Sequence, residues 1–306
     1  MPNHNKRDLK LLFWGMSGEF SYLVLETLIN AGINICAVVT HASIMTAEMA
    51  PIISLEPEPL RSSLPLSSPY MQRTIVHLAW QNQIPAFEIR RLSAPATSAQ
   101  LAALEADAAV VACFSRRIPQ HILTIPPNGF LNLHPSLLPA LRGPFPLFWS
   151  FRLDQQRSGV TVHYMDEGLD TGDIALQREL TLPDGISGSQ ADALLAAQGA
   201  SLLHDACRQL AAGTLPRTPQ RGGGSVYARP AISDFHIPTS WTARHAYNFI
   251  CGTAEWGFPY HISGHGVDLY LRDAISFNST TVQRDPLLRD GRDCWIQFTP
   301  GVLHAR

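Results

Sequence analysis

Lysine is almost missing from this 306-residue sequence: Lys6 and Lys10 are the only two, so arginine carries nearly all the positive charge. Charged residues of every kind make up 16%, with 23 basic against 25 acidic side chains and a net charge of -2. That balance gives no global reason to expect a nucleic-acid partner. Cysteine is sparse as well. Cys36, Cys113, Cys207, Cys251 and Cys294 are scattered, odd in number and never paired as C-x-x-C. Neither a disulfide framework nor a structural zinc site is expected, and reduced thiols in a cytoplasmic protein are. No apolar run approaches membrane-spanning length, and the polar segment from Met1 to Lys10 has no apolar signal core. The expectation is a protein with no membrane partner. Nucleotide signatures are lacking too: no G-x-G-x-x-G follows the first strand-like run, and there is no P-loop. Gly15 to Glu19 and Gly185 to Ser189 each lack the closing glycine of a nucleophile elbow. Asp166, Glu167, Asp170 and Asp173 are acidic but do not have calcium-loop spacing, so no metal is expected.

What is present is apolar. Hydrophobic residues make up 45%, too many for a disordered chain, and the length allows one large or two ordinary domains. Leu9 to Trp14, the turn at Gly15, the helical pattern Glu19 to Asn30 and the β-branched run Asn34 to Thr40 open like a parallel α/β sheet. From His41 to Ser68 the pattern breaks into a Pro-, Ser- and Met-rich stretch, expected to be a functional or a mobile loop. Alternation resumes with a helix over 70–81, a strand over 86–89 and a helix over 98–106. Ala108 to Cys113 and Gly129 to His134 are apolar runs of central-strand type. Strands over 159–164 and 174–182 and a helix over 190–211 follow. The Pro- and Gly-rich stretch 213–230 reads as a linker between a domain over 1–212 and a small α+β or β-barrel-like domain over 231–306. The charge changes sign there: fourteen basic and eighteen acidic groups before residue 213, nine and seven after it.

One segment carries a chemical signal. Asn132 and His134 lie two apart at the end of an apolar strand, which puts both side chains on one face. Pro135 ends that strand, and the stiff loop to Gly143 leaves the carboxyl end of the sheet, where open α/β sheets bind ligands. After the next strand, the turn-rich loop Asp166 to Asp173 can return to the same end. An amide donor, an imidazole and a carboxylate suffice for acyl transfer to an amine. Any one of the 12 histidines is more often structural than catalytic, and Asp170 can equally form an Asx turn with Thr171 and Gly172. Arg142 can be a plain ion-pair partner. Phe145, Phe148 and Trp149 read as helix core rather than as an acceptor pocket.

Asn132-Leu133-His134, Ser136-Leu137-Leu138-Pro139, Arg142-Gly143 and Gly168-Leu169-Asp170-Thr171-Gly172-Asp173 together resemble the 10-formyltetrahydrofolate-dependent formyltransferases, with the methionyl-tRNA formyltransferase branch the most alike. The resemblance runs from Leu11 to about Leu303. Ser233-Asp234-Phe235, Tyr247-Asn248-Phe249 and Trp256 to Pro259 are similar to the start of that family's small C-terminal domain. It implies a Rossmann-like α/β fold with a mostly parallel sheet. It also implies that Asn132, His134 and Asp170 match the catalytic Asn, His and Asp. Ser136, Leu137, Leu138 and Pro139 match the loop against the folate; Val110, Val111, Ala112, Cys113, Phe114 and Ser115 match the strand end whose backbone borders the pterin. By the same resemblance, 10-formyltetrahydrofolate is the co-substrate, no metal is needed, and an acceptor amine attacks the formyl carbon. Asn132 and a cationic His134 would then stabilise the formyl oxygen, with Asp170 favouring the charged imidazole.

The departures concern the acceptor. In the tRNA-acting branch the loop after the second strand is basic; here His41 to Ser68 carries Arg61 against Glu48, Glu56 and Glu58, a poor match to phosphates. The residues after Leu303 are also few where that branch continues into a basic closing segment. The expected function is therefore formyl transfer to a small primary amine, such as an amino sugar or an amino acid, with loop 41–68 as a lid. Transfer to Met-tRNA is the alternative; hydrolysis of the formyl donor and a folate-binding module without catalysis are the others.

Overall fold

Leu11–Gly15 (β1) is buried along its whole length, and Glu19–Asn30 (α1) follows it after a turn at Gly18. A computed structural model describes residues 9–42, 50–57, 74–155 and 157–306. Helix α1 buries Phe20, Ser21, Val24, Leu25 and Leu28, the one-sided stripe that a 3.6-residue period makes. It ends at Gly32, whose φ of 74° is left-handed; the Gly32 and Ile33 amides donate back to the Ile29 and Leu28 carbonyls. Only glycine adopts that conformation without strain.

The chain continues through Ile35–His41 (β2), Ile52–Leu55 (β3), Ile75–Gln81 (α2), Ala86–Ile89 (β4), Pro95–Ala103 (α3), Ala108–Ala112 (β5), Gln120–Leu123 (α4) and Phe130–His134 (β6). Pro146–Arg152 (α5), Arg157–Tyr164 (β7), Ile174–Thr181 (β8) and Gly188–Ala211 (α6) come next. The eight strands hydrogen-bond in the order β3-β4-β2-β1-β5-β6-β7-β8, a mostly parallel α/β sheet. Strand β3 corrects the reading of 41–68 as pure loop: it pairs antiparallel with β4 and buries Ile52. A four-residue run behind Pro51 is too short to show an alternation of its own. Residues 43–49 and 58–73, where most of the expected lid and its charges fall, lie outside the described residues.

Strand order reverses between β1 and β5, because the chain leaves β1 toward β2 and comes back on the other side as β5. The carboxyl ends at such a reversal are where these sheets leave a crevice. Strands β1 and β5 are wholly buried, as expected for central strands.

The chain forms two compact units. One holds 1–142, 160–178 and 195–224; the other holds 143–159, 179–194 and 225–306, which includes the segment expected as a small C-terminal domain. In the first unit, Leu12, Trp14, Val39, Ile89, Leu101, Val111, Ile122 and Phe130 share one core. In the second, Ala243–Thr253 (α7) lies among two antiparallel-rich sheets. These are built from His236–Pro238 (β9), Tyr260–Gly264 (β10) and Val267–Leu271 (β11), and from Ala274–Asn278 (β12), Leu287–Asp290 (β13), Asp293–Gln297 (β14) and Val302–Ala305 (β15). Strands β12 and β13 had no sequence signal because most of their residues are exposed on both faces. Phe148 joins the core of this unit and Phe145 and Trp149 pack against it, as the helix-core reading expected. Trp149 also stacks on Tyr227 at 4.6 Å and donates its indole N–H to the Ala228 carbonyl. The Phe249 ring lies 5.6 Å from Phe148, 5.7 Å from Trp241 and 5.7 Å from Tyr260. Phe249→Ala is expected to lower unfolding free energy by about 3–5 kcal/mol in urea titration. A loss below about 1 kcal/mol would mean that this ring cluster does not act as a packed core.

No described helix is long and apolar enough to cross a membrane.

Candidate active site

Strand β6 ends Asn132-Leu133-His134 and pairs antiparallel with β7, which sets Asn132 opposite His163 and His134 opposite Thr161. Period-two geometry puts all four side chains on one face of the sheet. On the other face Leu133 meets Gly199 of α6 so closely that any side chain at 199 would collide with it. The polar face is therefore carried on two strands whose backs are packed.

His134 is 4% exposed. Its Nε2–H donates to the Leu141 carbonyl at 2.9 Å, a bond a carbonyl can only accept. In the neutral ring Nδ1 is then the lone-pair nitrogen, and it faces Asp170 Oδ2 at 3.8 Å. Leu141 makes this possible by taking a left-handed φ of 58°, an uncommon conformation for a branched side chain. Burial holds the His134 pKa below its ordinary 6.5; the Asp170 carboxylate and the Leu141 carbonyl pull it upward less strongly, and His163 pushes it down. The imidazole is thus neutral at pH 7, with one nitrogen fixed and the other open.

Asn132 is oriented by His163. The His163 Nδ1–H donates to the Tyr164 carbonyl at 2.9 Å, which leaves Nε2 as an acceptor for the Asn132 amide at 3.0 Å. The same amide nitrogen reaches Asp170 Oδ1 at 3.5 Å, the limit of a hydrogen bond. One amide hydrogen is held, and the other is only loosely engaged.

Asp170 sits in the loop after β7 with a φ of 53°. The Asx turn expected as a possibility for Asp170 is made by Asp166 instead, whose carboxylate accepts from the Gly168 amide at 3.0 Å and the Thr171 hydroxyl at 2.7 Å. That leaves the Asp170 carboxylate directed at Asn132, His134 and His163. Gly172 lies against the Tyr164 carbonyl, where a Cβ would collide.

Loop 135–142 is tied to the same strands. The buried Thr161 hydroxyl donates to the Ser136 carbonyl at 2.6 Å and accepts from the Leu138 amide at 3.2 Å. Gln177 donates to the Leu138 carbonyl at 2.7 Å, and Ser136 donates to the Ala140 carbonyl at 2.7 Å. The structure therefore brings Asn132, His134, Asp170 and the segment Ser136 to Pro139 together. Val110, Val111 and Ala112 have buried side chains in β5, so only their backbone is available to a ligand. They join the trio through strand register, Val111 beside Asn132. Cys113 turns the chain at φ 58°, Phe114 packs edge-on to Trp14 and His41, and Ser115 hydrogen-bonds His41 Nε2 at 2.9 Å. Among the described residues, Trp14 Nε1 and His41 Nδ1 beside Phe114 are buried without a hydrogen-bond partner. No described group of three His, Cys, Asp or Glu side chains has the arrangement to hold a metal.

Sequence reasoning missed His163, Thr161, Gln177 and Gln220. Two of them left a trace: Thr161 and His163 are polar residues alternating with Val160 and Val162 in the buried part of the strand. Gln177 and Gln220 sit in stretches of mixed polarity and left none.

Residues 35–206 match the family described as Formyl transferase. The chain is 32% identical over 250 residues to the methionyl-tRNA formyltransferase of Ruminiclostridium cellulolyticum, covering 81% of this chain and 74% of that one. It is 36% identical over 220 residues to the methionyl-tRNA formyltransferase of Syntrophus aciditrophicus, covering 72% and 64%. Among solved structures, the N-formyltransferase from Helicobacter canadensis, in complex with folinic acid and dTDP-3-aminofucose, matches with a TM-score of 0.67. That match covers 97% of this chain and 98% of the other at 16% identity, a likeness of fold.

Proposed function

The chain belongs to the formyl transferase family, and we propose that it moves a formyl group from 10-formyltetrahydrofolate to the primary amine of a small metabolite, such as an amino sugar or an amino acid. One observation carries the reading: His134 presents a single open nitrogen, Nδ1, 3.8 Å from the Asp170 carboxylate, beside an Asn132 amide with a hydrogen to spare.

In this reading Asn132 donates its loosely held hydrogen to the formyl oxygen as negative charge grows there; one such donor contributes roughly 3–4 kcal/mol. His134 Nδ1 takes the proton that the attacking amine loses. The cation then forms on the enzyme during the reaction instead of standing there beforehand, a revision of the charged His134 expected from the sequence. Asp170 stabilises that cation. As the new C–N bond persists and the bond to the folate nitrogen breaks, His134 returns the proton to that leaving nitrogen. The backbone at 110–115 and loop 136–139 are assigned to the folate, and a ring with donors and acceptors along its edge suits a site whose strand side chains are buried.

The acidic balance of segment 41–68 favours a small acceptor over Met-tRNA. The similarity to methionyl-tRNA formyltransferases favours the opposite, so Met-tRNA is the second reading. The deciding experiment measures tetrahydrofolate formation with amino sugars, nucleotide-linked amino sugars, amino acids, Met-tRNA or no acceptor. Turnover that depends on a small amine is expected. Turnover with Met-tRNA alone would replace the acceptor, and equal turnover without any acceptor would make the protein a hydrolase.

A further inference from the structure

Gln220, in the irregular stretch expected to be a linker, spends every hydrogen-bonding group of its side chain around the site. Its amide nitrogen donates to the Asp170 carbonyl at 2.9 Å and to the Gly172 carbonyl at 2.8 Å. Its amide oxygen accepts from Arg142 Nε at 3.1 Å and Nη2 at 2.6 Å. Two residues earlier Thr218 exchanges a backbone pair with Ile174, at 2.8 and 2.9 Å, and the Arg217 guanidinium lies 3.7 Å over the Tyr164 ring. The strand-like contact would be enough to fasten the chain. The side-chain amide does something more specific, because its partners belong to the two loops that set His134. Asp170 supplies the carboxylate facing Nδ1, and Leu141, bonded to Arg142, supplies the carbonyl holding Nε2.

We infer that Gln220 is a positioning residue that locks the Asp170 loop to the Leu141–Arg142 loop, and so fixes both nitrogens of His134 at once. This rests on the proposed roles of His134 and Asp170. An amide is the side chain suited to the place, since it alone offers two donors to carbonyls and an acceptor to a guanidinium from one rigid plane. Releasing it frees the carboxylate and the carbonyl together. Of the groups facing His134, these two favour its charged form, and His163 opposes it. Loss of Gln220 therefore moves the His134 titration to lower pH and costs rate by misplacing the open nitrogen.

The test uses Gln220→Met, which removes donors and acceptor, and Gln220→Glu, which keeps an acceptor for Arg142 and removes the donors. NMR titration of the His134 ring is read beside steady-state kinetics and thermal unfolding in the full chain. The expected result in each folded variant is a His134 midpoint lowered by about half a pH unit or more. A kcat reduced ten- to a hundredfold, with KM for the folate within about threefold, accompanies it. An unmoved His134 titration in folded variants overturns the inference, whatever the rate does. If Gln220→Met does not fold, Gln220→Glu alone decides. If the wild-type chain transfers no formyl group to any acceptor, the proposed function fails, and the ring titration still decides the role of Gln220.

Discussion

Replacing His134 by alanine is expected to lower kcat for the proposed formyl transfer by about three orders of magnitude, within the range for losing a general base. So large an effect is expected because, among the described residues, neither neighbouring titratable group is suited to take its place. His163 is the next imidazole, with ring centroids 6.4 Å away, but both its nitrogens are committed, to the Tyr164 carbonyl and to Asn132. Asp170 is within reach of the same space, yet a carboxylate is a far weaker base than a neutral imidazole. Binding of 5-formyltetrahydrofolate, a stable analogue of the donor, is expected to change by less than about threefold, since the segments assigned to the folate keep their own supports at Thr161 and Gln177. Measuring tetrahydrofolate release together with analogue affinity checks both halves. A His134→Ala protein that turns over within about tenfold of wild type would remove His134 from the chemistry.

Asp170→Asn is expected to lower kcat about a hundredfold and also to move the pH profile, which separates it from a merely structural loss. In the proposed mechanism His134 has to be neutral to accept a proton, so activity is expected to fall as pH drops through its pKa. Burial already holds that pKa below 6.5, and Asp170 is the largest influence raising it again. Removing the carboxylate lowers it further. The acidic limb of kcat therefore shifts to lower pH in the variant while the plateau falls. A limb that stays in place, or moves upward, would mean that Asp170 does not face a titrating His134. The same depressed pKa has a consequence for stability in the wild-type protein. The contribution of His134 is present in full above pH 6.5 and is lost as pH falls from there toward the folded-state value, because the unfolded chain binds the proton first.

Local rules brought the residues of the candidate site into view, and the resemblance to formyltransferases supplied the roles proposed for them. Asn132 and His134 share a strand face, Pro135 ends the strand, and the glycines around Asp170 announce a turn. The sheet was legible from its apolar runs: β1 is a short one, and Ala108 to Cys113 and Gly129 to His134 are of central-strand type. What stayed hidden depends on pairing across the chain. His163 acquires its meaning from standing opposite Asn132, a register fixed by the antiparallel fit of β6 and β7. The Leu141 carbonyl is backbone and carries no side-chain signature at all. Gln220 lies fifty positions from Asp170 in sequence and reaches its backbone carbonyl, which carries no side-chain signature. Strand β3 was lost in a Pro- and Ser-rich stretch, and β12 and β13 have no buried face to impose a period.

The two units are interleaved along the chain, and this has a bearing on how the protein comes into being. The first unit is complete only when residue 224 has been made, because 160–178 and 195–224 belong to it along with 1–142. At roughly 5–20 residues per second, the ribosome needs about 4–16 s to add the stretch between residue 142 and residue 224. Through that interval the nascent chain holds Asn132 and His134 but gains Asp170 partway and Gln220 near the end. A gene fragment stopping at 212 would leave out Gln220 and still carry 143–159 and 179–194, pieces of the other unit without the remainder of their core. No single cut separates the units, so a shuffling event that moves one of them intact has to move the other with it.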